Sequence, residues 1–206
     1  MENTKSINKS VLKLTQFSVL TAIMILMAFT PLGYLKVGAV EITFMMIPVV
    51  IGAIILGPKV GALLGGVFGI TSFIQCFGFS AFGAVLLSIN PVFTFILCMV
   101  PRVAMGWLTG LIFEKLYKHD KTKVASFGAT TLSGALINTI LFMIFLVVLF
   151  GRSGFITGLM DGKKFLTFIV AFVGINGLVE AIVCFIVGAV LSKALYSIIP
   201  SNKNNY

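Results

Sequence analysis

Apolar residues run through this chain in long blocks separated by short polar stretches, with few charges inside any block. A helix that crosses a bilayer needs roughly 20 mostly apolar residues. The pattern predicts six such helices, at about 11–31, 42–57, 59–77, 89–115, 124–150 and 165–195. The alternation of a membrane β-barrel is missing, so the spans are read as helices. The expected fold class is an all-α integral membrane protein: one domain over residues 1–206, built as a bundle of six transmembrane helices. The second span is short and holds Pro48, and the fourth holds Pro91 and Pro101. Prolines inside spans free backbone groups, which then face protein or a cavity.

Composition agrees with this picture. The chain is 59% hydrophobic and 10% charged, against about 25% charged in a soluble domain. The net charge of +9 does not indicate nucleic acid, because the basic residues collect in alternating loops. Lys5, Lys9, Lys13, Lys59, Lys115, Lys118, Lys121, Lys123, Lys193 and Lys203 fall on one side; Lys36, Arg152, Lys163 and Lys164 fall on the other. The richer side is cytoplasmic, so both termini are expected inside the cell and the protein in the cell membrane. The outer loops are then about 32–41, 78–88 and 151–164; glycines at 151, 154, 158 and 162 make the last read as flexible. The first apolar run has no small-residue cleavage site, so no signal peptide is expected.

Polar side chains inside apolar helices mark function, because burying them from water is costly. Arg102 lies roughly 20 Å below the outer end of span four, and Glu180 lies at a similar depth in span six. Asn138 is about 18 Å down span five and Asn176 about 17 Å down span six. Asn90, Gln75, Ser72 and Thr71 sit at or above that level. Asn176 and Glu180, four apart, share a helix face. These residues predict a site open to the outside and closed below by apolar packing. Arginine binds carboxylates bidentately, and asparagine or glutamine serves hydroxyls and amides, so a small polar anion fits. A structural arrangement fits equally: Arg102 and Glu180 pair with each other, and the asparagines bond between helices.

Small residues recur at helical spacing. Gly61, Gly65 and Gly69 share a face, as do Gly106 and Gly110. Such faces let another helix approach closely, and internal packing is the favoured reading. Ser18 and Ala22 offer a smooth face on span one for another membrane protein. Trp107 is read as core packing, and Cys76, Cys98 and Cys184 as small buried apolar residues. There is no phosphate loop of the ATP-binding kind and no zinc-binding His-Glu-x-x-His. His119 lies in a basic loop. No cofactor is expected.

Three stretches resemble the substrate-binding S components of energy-coupling factor (ECF) vitamin transporters. They are Met27-Ala-Phe-Thr-Pro-Leu-Gly-Tyr34, the run from Ile47 through Gly52, Gly57-Pro58-Lys59, Gly61 and Gly65 to Gly69, and Asn90-Pro91 with Val100-Pro101-Arg102-Val-Ala-Met-Gly106. The third is similar to the pantothenate-type members. The resemblance implies a six-helix bundle in a bacterial-type cell membrane that takes a vitamin from outside. It also implies docking on a transmembrane coupling protein driven by two cytoplasmic ATPases. The family docks through Ala-x-x-x-Ala in span one; here Ser18 and Ala22 are the nearest match. The loop at about Pro31–Glu41 corresponds to one that covers the ligand. Pantothenate carries a carboxylate, two hydroxyls and an amide. Arg102 suits the first, and Asn138, Asn176 or Gln75 the others. Riboflavin or another vitamin is the competing substrate. An intramembrane enzyme, or an assembly protein without a ligand, is the competing class; Glu180 alone gives the former no nucleophile–base pair.

Overall fold

A computed structural model describes residues 9–30, 33–37, 40–120, 125–160 and 177–198. The expected site residue Asn176, the outer lysines Lys163 and Lys164, and the first part of the sixth expected span lie outside the described residues.

The described elements are α1 (Lys9–Ala28), β1 (Tyr34–Val37), β2 (Val40–Thr43), α2 (Met46–Leu56), α3 (Pro58–Gln75), α4 (Ala81–Ile89), α5 (Pro91–His119), α6 (Ala125–Phe150) and α7 (Gly154–Met160), followed by a helix, α8, over Gly177–Ser197. Four of them, α1, α5, α6 and α8, are long and apolar enough to cross a membrane. The protein is a helical membrane protein with one short antiparallel hairpin, β1–β2, in which Tyr34 stands opposite Thr43 and Val37 opposite Val40.

The structure corrects several expectations. The second expected span is an 11-residue helix, about 16 Å long and too short to cross about 30 Å of hydrocarbon. All of its residues are buried, so its unbroken apolar run reflects a position inside protein rather than in lipid. Pro48 sits in its first turn, where a missing N–H costs nothing. The outer loop expected at 78–88 contains α4, capped by Ser80, whose hydroxyl accepts from the Gly83 N–H at 3.2 Å. The glycine-rich outer loop contains α7. Pro91 opens α5 instead of breaking it. Trp107, expected in the core, is 49% exposed on the outside of the protein.

The core is organised around α5. Its neighbour α3 runs antiparallel to it, and a ladder of small residues sets their separation. A side chain at Gly61 would strike the Gly106 backbone, one at Gly65 the Arg102 carbonyl, and one at Gly69 the Cys98 and Met99 backbone. The spacing of four thus brings two backbones together over more than two turns, the internal packing expected from the sequence. Above Gly110, Pro58 completes the seam. Gly57, at φ 93°, turns the chain from α2 into α3 in a backbone region that side chains disfavour.

On its other side α5 runs antiparallel to α6. The rings of Phe93 and Phe150 meet at 6.1 Å, and the Thr109 hydroxyl lies beside Gly134. In α8 the buried residues Glu180, Cys184, Gly188, Ser192 and Tyr196 recur every four positions. A regular α-helix would rotate such a set steadily off one face; the π-helical turn at Cys184–Gly188, with its wider spacing, offsets that drift. At the far end of α5, Phe113, Tyr117, Phe127 and Tyr196 form an aromatic cluster joining α5, α6 and α8.

Candidate functional site

Pro101 lies inside α5 and has no N–H to give to the carbonyl of Leu97, four residues earlier. That carbonyl accepts a hydrogen bond from Arg102 Nη1 at 2.7 Å instead. Because side chains on a helix lean toward its N-terminus, Arg102 reaches back along α5 to do so. Its Nη2 makes a longer bond, 3.4 Å, to the Ser72 hydroxyl on α3. The guanidinium lies between two aromatic rings, 4.9 Å from the centre of Phe142 on α6 and 5.4 Å from that of Phe68 on α3. Such contacts favour a cation most where water is excluded. Arg102 is 8% exposed, and its Nε is buried with no hydrogen-bond partner among the described residues.

Asn138 lies one turn before Phe142 on the same face of α6. It is 6% exposed, and its side-chain oxygen is buried without a partner among the described residues. An unmet buried polar atom costs about 1–3 kcal/mol. Two of them, one a donor and one an acceptor, lie on helices that face each other; the hydroxyls of Thr21, Thr109, Thr130 and Ser192 are likewise buried without a partner among the described residues.

Glu180 does not pair with Arg102. Among the described residues its partner is the backbone N–H of Thr43, which donates to Oε1 at 2.7 Å. Thr43 ends β2, so Glu180 ties the base of the hairpin to α8. Gln75 performs a matching task at the other end of that segment: its Nε2 donates to the carbonyl of Ala28, the last residue of α1, at 2.7 Å. Two residues expected to touch a ligand therefore fasten the two ends of the segment between α1 and α2.

The remaining expected site residues are placed as follows. Asn90 caps α5, its Oδ1 accepting from the N–H groups of Val92 and Phe93 at 3.0 and 3.1 Å. Thr71 is buried and donates to the Phe68 carbonyl within its own helix. Ser18 donates to the Leu14 carbonyl, and it and Ala22 lie on the exposed side of α1. The structure thus brings Arg102, Ser72, Phe68 and Phe142 together, with Asn138 one turn away. The two phenylalanines carried no sequence signal among twenty of their kind. The Leu97 carbonyl did: a proline four residues later exposes it in any helix.

These features define a helical membrane protein, with four described helices long and apolar enough to cross a bilayer and an arginine buried between two aromatic rings. Residues 12–192 match the family model for the ECF transporter, substrate-specific component. The chain is 30% identical over 197 residues to the pantothenate transporter PanT of Leuconostoc mesenteroides, covering 89% of this chain and 94% of that one. It is 29% identical over 166 residues to the pantothenic acid transporter PanT of Lactococcus lactis, covering 76% and 78% respectively. It also superposes on the structure of ThiT from Listeria monocytogenes with a TM-score of 0.64, over 91% of this chain and 96% of that one, at 17% identity; this likeness concerns the fold. The chain belongs to the family of substrate-specific components of ECF transporters, which are membrane-embedded binding subunits of transporters and not a family of enzymes.

Proposed function

We propose that this chain is the pantothenate-binding subunit of an ECF importer in the cell membrane. The observation that carries the reading is Arg102: a buried cation whose Nε lacks a partner among the described residues, against Phe142 one turn from Asn138, in a chain similar to two proteins named for pantothenate transport. The carboxylate of pantothenate binds Arg102, and Asn138 takes a hydroxyl or the amide. Asn176 is assigned to the same site from its spacing to Glu180 in the sequence. Asn90, Thr71, Gln75 and Glu180 shape its walls and rim.

In this reading the chain forms one membrane domain in which the short α2 is enclosed by the longer helices, with both termini in the cytoplasm and the site opening outward. The β1–β2 hairpin lies over the entrance. Transport energy comes from two cytoplasmic ATPases through a transmembrane coupling protein, which meets α1 at Ser18 and Ala22.

Calorimetry on the full chain in lipid nanodiscs, with pantothenate, riboflavin and thiamin as ligands, tests the assignment. Pantothenate should bind, and Arg102→Gln should weaken it by about a hundredfold or more, the worth of a bidentate charged contact, while the protein stays folded. Binding of riboflavin but not pantothenate would remove the substrate assignment. Full affinity in Arg102→Gln would make the arginine structural.

A further inference from the structure

We propose that Pro101 orients Arg102, so that the Nε–Nη2 edge of the guanidinium is the one that receives the ligand's carboxylate. The inference rests on the reading that Arg102 binds that group. A guanidinium can grip a carboxylate by its end, through both Nη atoms, or by its side, through Nε and one Nη. An arginine in water samples both. Here the choice is made by the backbone. Pro101 leaves the Leu97 carbonyl without its helical donor, and Arg102 Nη1 occupies that carbonyl at 2.7 Å. An end-on grip would have to share Nη1 with Leu97, leaving the ligand one N–H there, in the direction that the Leu97 bond sets. The side edge holds the unmet donor: Nε is buried with no partner among the described residues, and Nη2 has only the 3.4 Å bond to Ser72. Phe68 and Phe142, at 5.4 and 4.9 Å from the guanidinium carbon, oppose rotation of its plane.

The arrangement makes Pro101 a positioning residue that never touches substrate. Replacing it with alanine restores a backbone N–H at 101, which donates to Leu97 and competes with Nη1. The released arginine then loses its fixed edge while keeping its charge. The consequence is specific to the carboxylate and leaves the rest of the ligand's contacts alone.

The test compares pantothenate with its alcohol analogue, in which the carboxylate is replaced by CH2OH, in calorimetry on the full chain in nanodiscs. Wild type should prefer pantothenate by more than about tenfold, and Arg102→Gln should abolish the preference. Pro101→Ala should cut the preference by about tenfold while affinity for the alcohol stays within about twofold. A Pro101→Ala protein that keeps the full preference, while Arg102→Gln loses it, overturns the proposal and leaves the carboxylate reading intact. A preference unchanged in Arg102→Gln overturns the reading underneath. A second measurement serves if Pro101→Ala does not fold. The chain has two arginines, Arg102 and Arg152, so 15N-arginine labelling gives two Nε–H resonances, and the one missing in Arg102→Gln belongs to Arg102. Pantothenate should shift that resonance in wild type and the alcohol should leave it in place. An Nε–H signal that ignores saturating pantothenate overturns the side-on grip.

Discussion

Helix α5 has two neighbours, and its two seams are built on opposite plans. Against α3 the contact is backbone to backbone: Gly61, Gly65 and Gly69 leave no room for a side chain. Against α6 the contact is made by side chains, with Phe93 on Phe150, Phe142 over Arg102 and Thr109 against Gly134, and polar atoms of Arg102, Thr109, Thr130 and Asn138 are buried without partners among the described residues. The first seam holds Arg102's backbone still, since its carbonyl abuts Gly65. The second leaves its side chain a partner short. A binding residue in lipid needs both: a rigid base, because a buried cation that moves finds other partners, and an unmet donor, because a fully satisfied group has nothing to offer a ligand.

The comparison can be broken most severely at the first seam. Gly65→Leu drives a side chain into the Arg102 carbonyl and should destabilise the fold by roughly 4 kcal/mol or more, in the range of severe overpacking. Size-exclusion chromatography in detergent should show aggregate in place of monodisperse protein. A well-folded Gly65→Leu would mean that the seam is looser than a glycine ladder.

The second seam should respond in the opposite sense. Asn138→Leu removes a buried, unpartnered oxygen, so thermal stability should hold or rise, since hydrogen bonds between membrane helices contribute only about 1 kcal/mol. Pantothenate affinity should fall by about tenfold. A variant that loses stability but not affinity would assign Asn138 to packing and erase the contrast between the seams.

The smallest effect is expected at the rim. Glu180→Leu removes the acceptor for the Thr43 N–H and should speed pantothenate release by roughly threefold to tenfold through a loosened hairpin, with association little changed. Glu180→Gln keeps an acceptor oxygen and should restore slow release. Equal losses in both variants would show that the charge matters, and would return Glu180 to the ligand or to Arg102.

Much of this fold is legible from the chain. The glycine spacing announced the α3–α5 seam, because close approach of two backbones in a membrane requires small residues at every fourth position. Hydropathy found α1, α5 and α6 within a few residues. It misread α2, since a helix buried in protein and a helix buried in lipid are equally apolar. It missed α4 and the hairpin because short elements outside the spans leave no long periodic signal. Among the expected site residues, Arg102 and Asn138 are buried with a polar atom unmet among the described residues. Depth along the spans also gathered Gln75, Asn90 and Thr71, whose hydrogen bonds go to the backbone. A polar residue whose bonds are all met by the backbone looks the same in sequence as one left with an unmet atom.

The sequence by itself determined that this chain belongs in a bilayer, which helices carry charge at depth, and that Pro101 strips one carbonyl of its donor. Those properties are local: transfer energies, helical spacing and a missing N–H do not depend on neighbours. The tertiary structure decided where each polar group spends its hydrogen bonds. It sent Glu180 to Thr43 and Gln75 to Ala28, and it left Arg102 Nε and Asn138 Oδ1 unmet. Partner choice depends on distances between segments far apart in the chain, and only packing sets those.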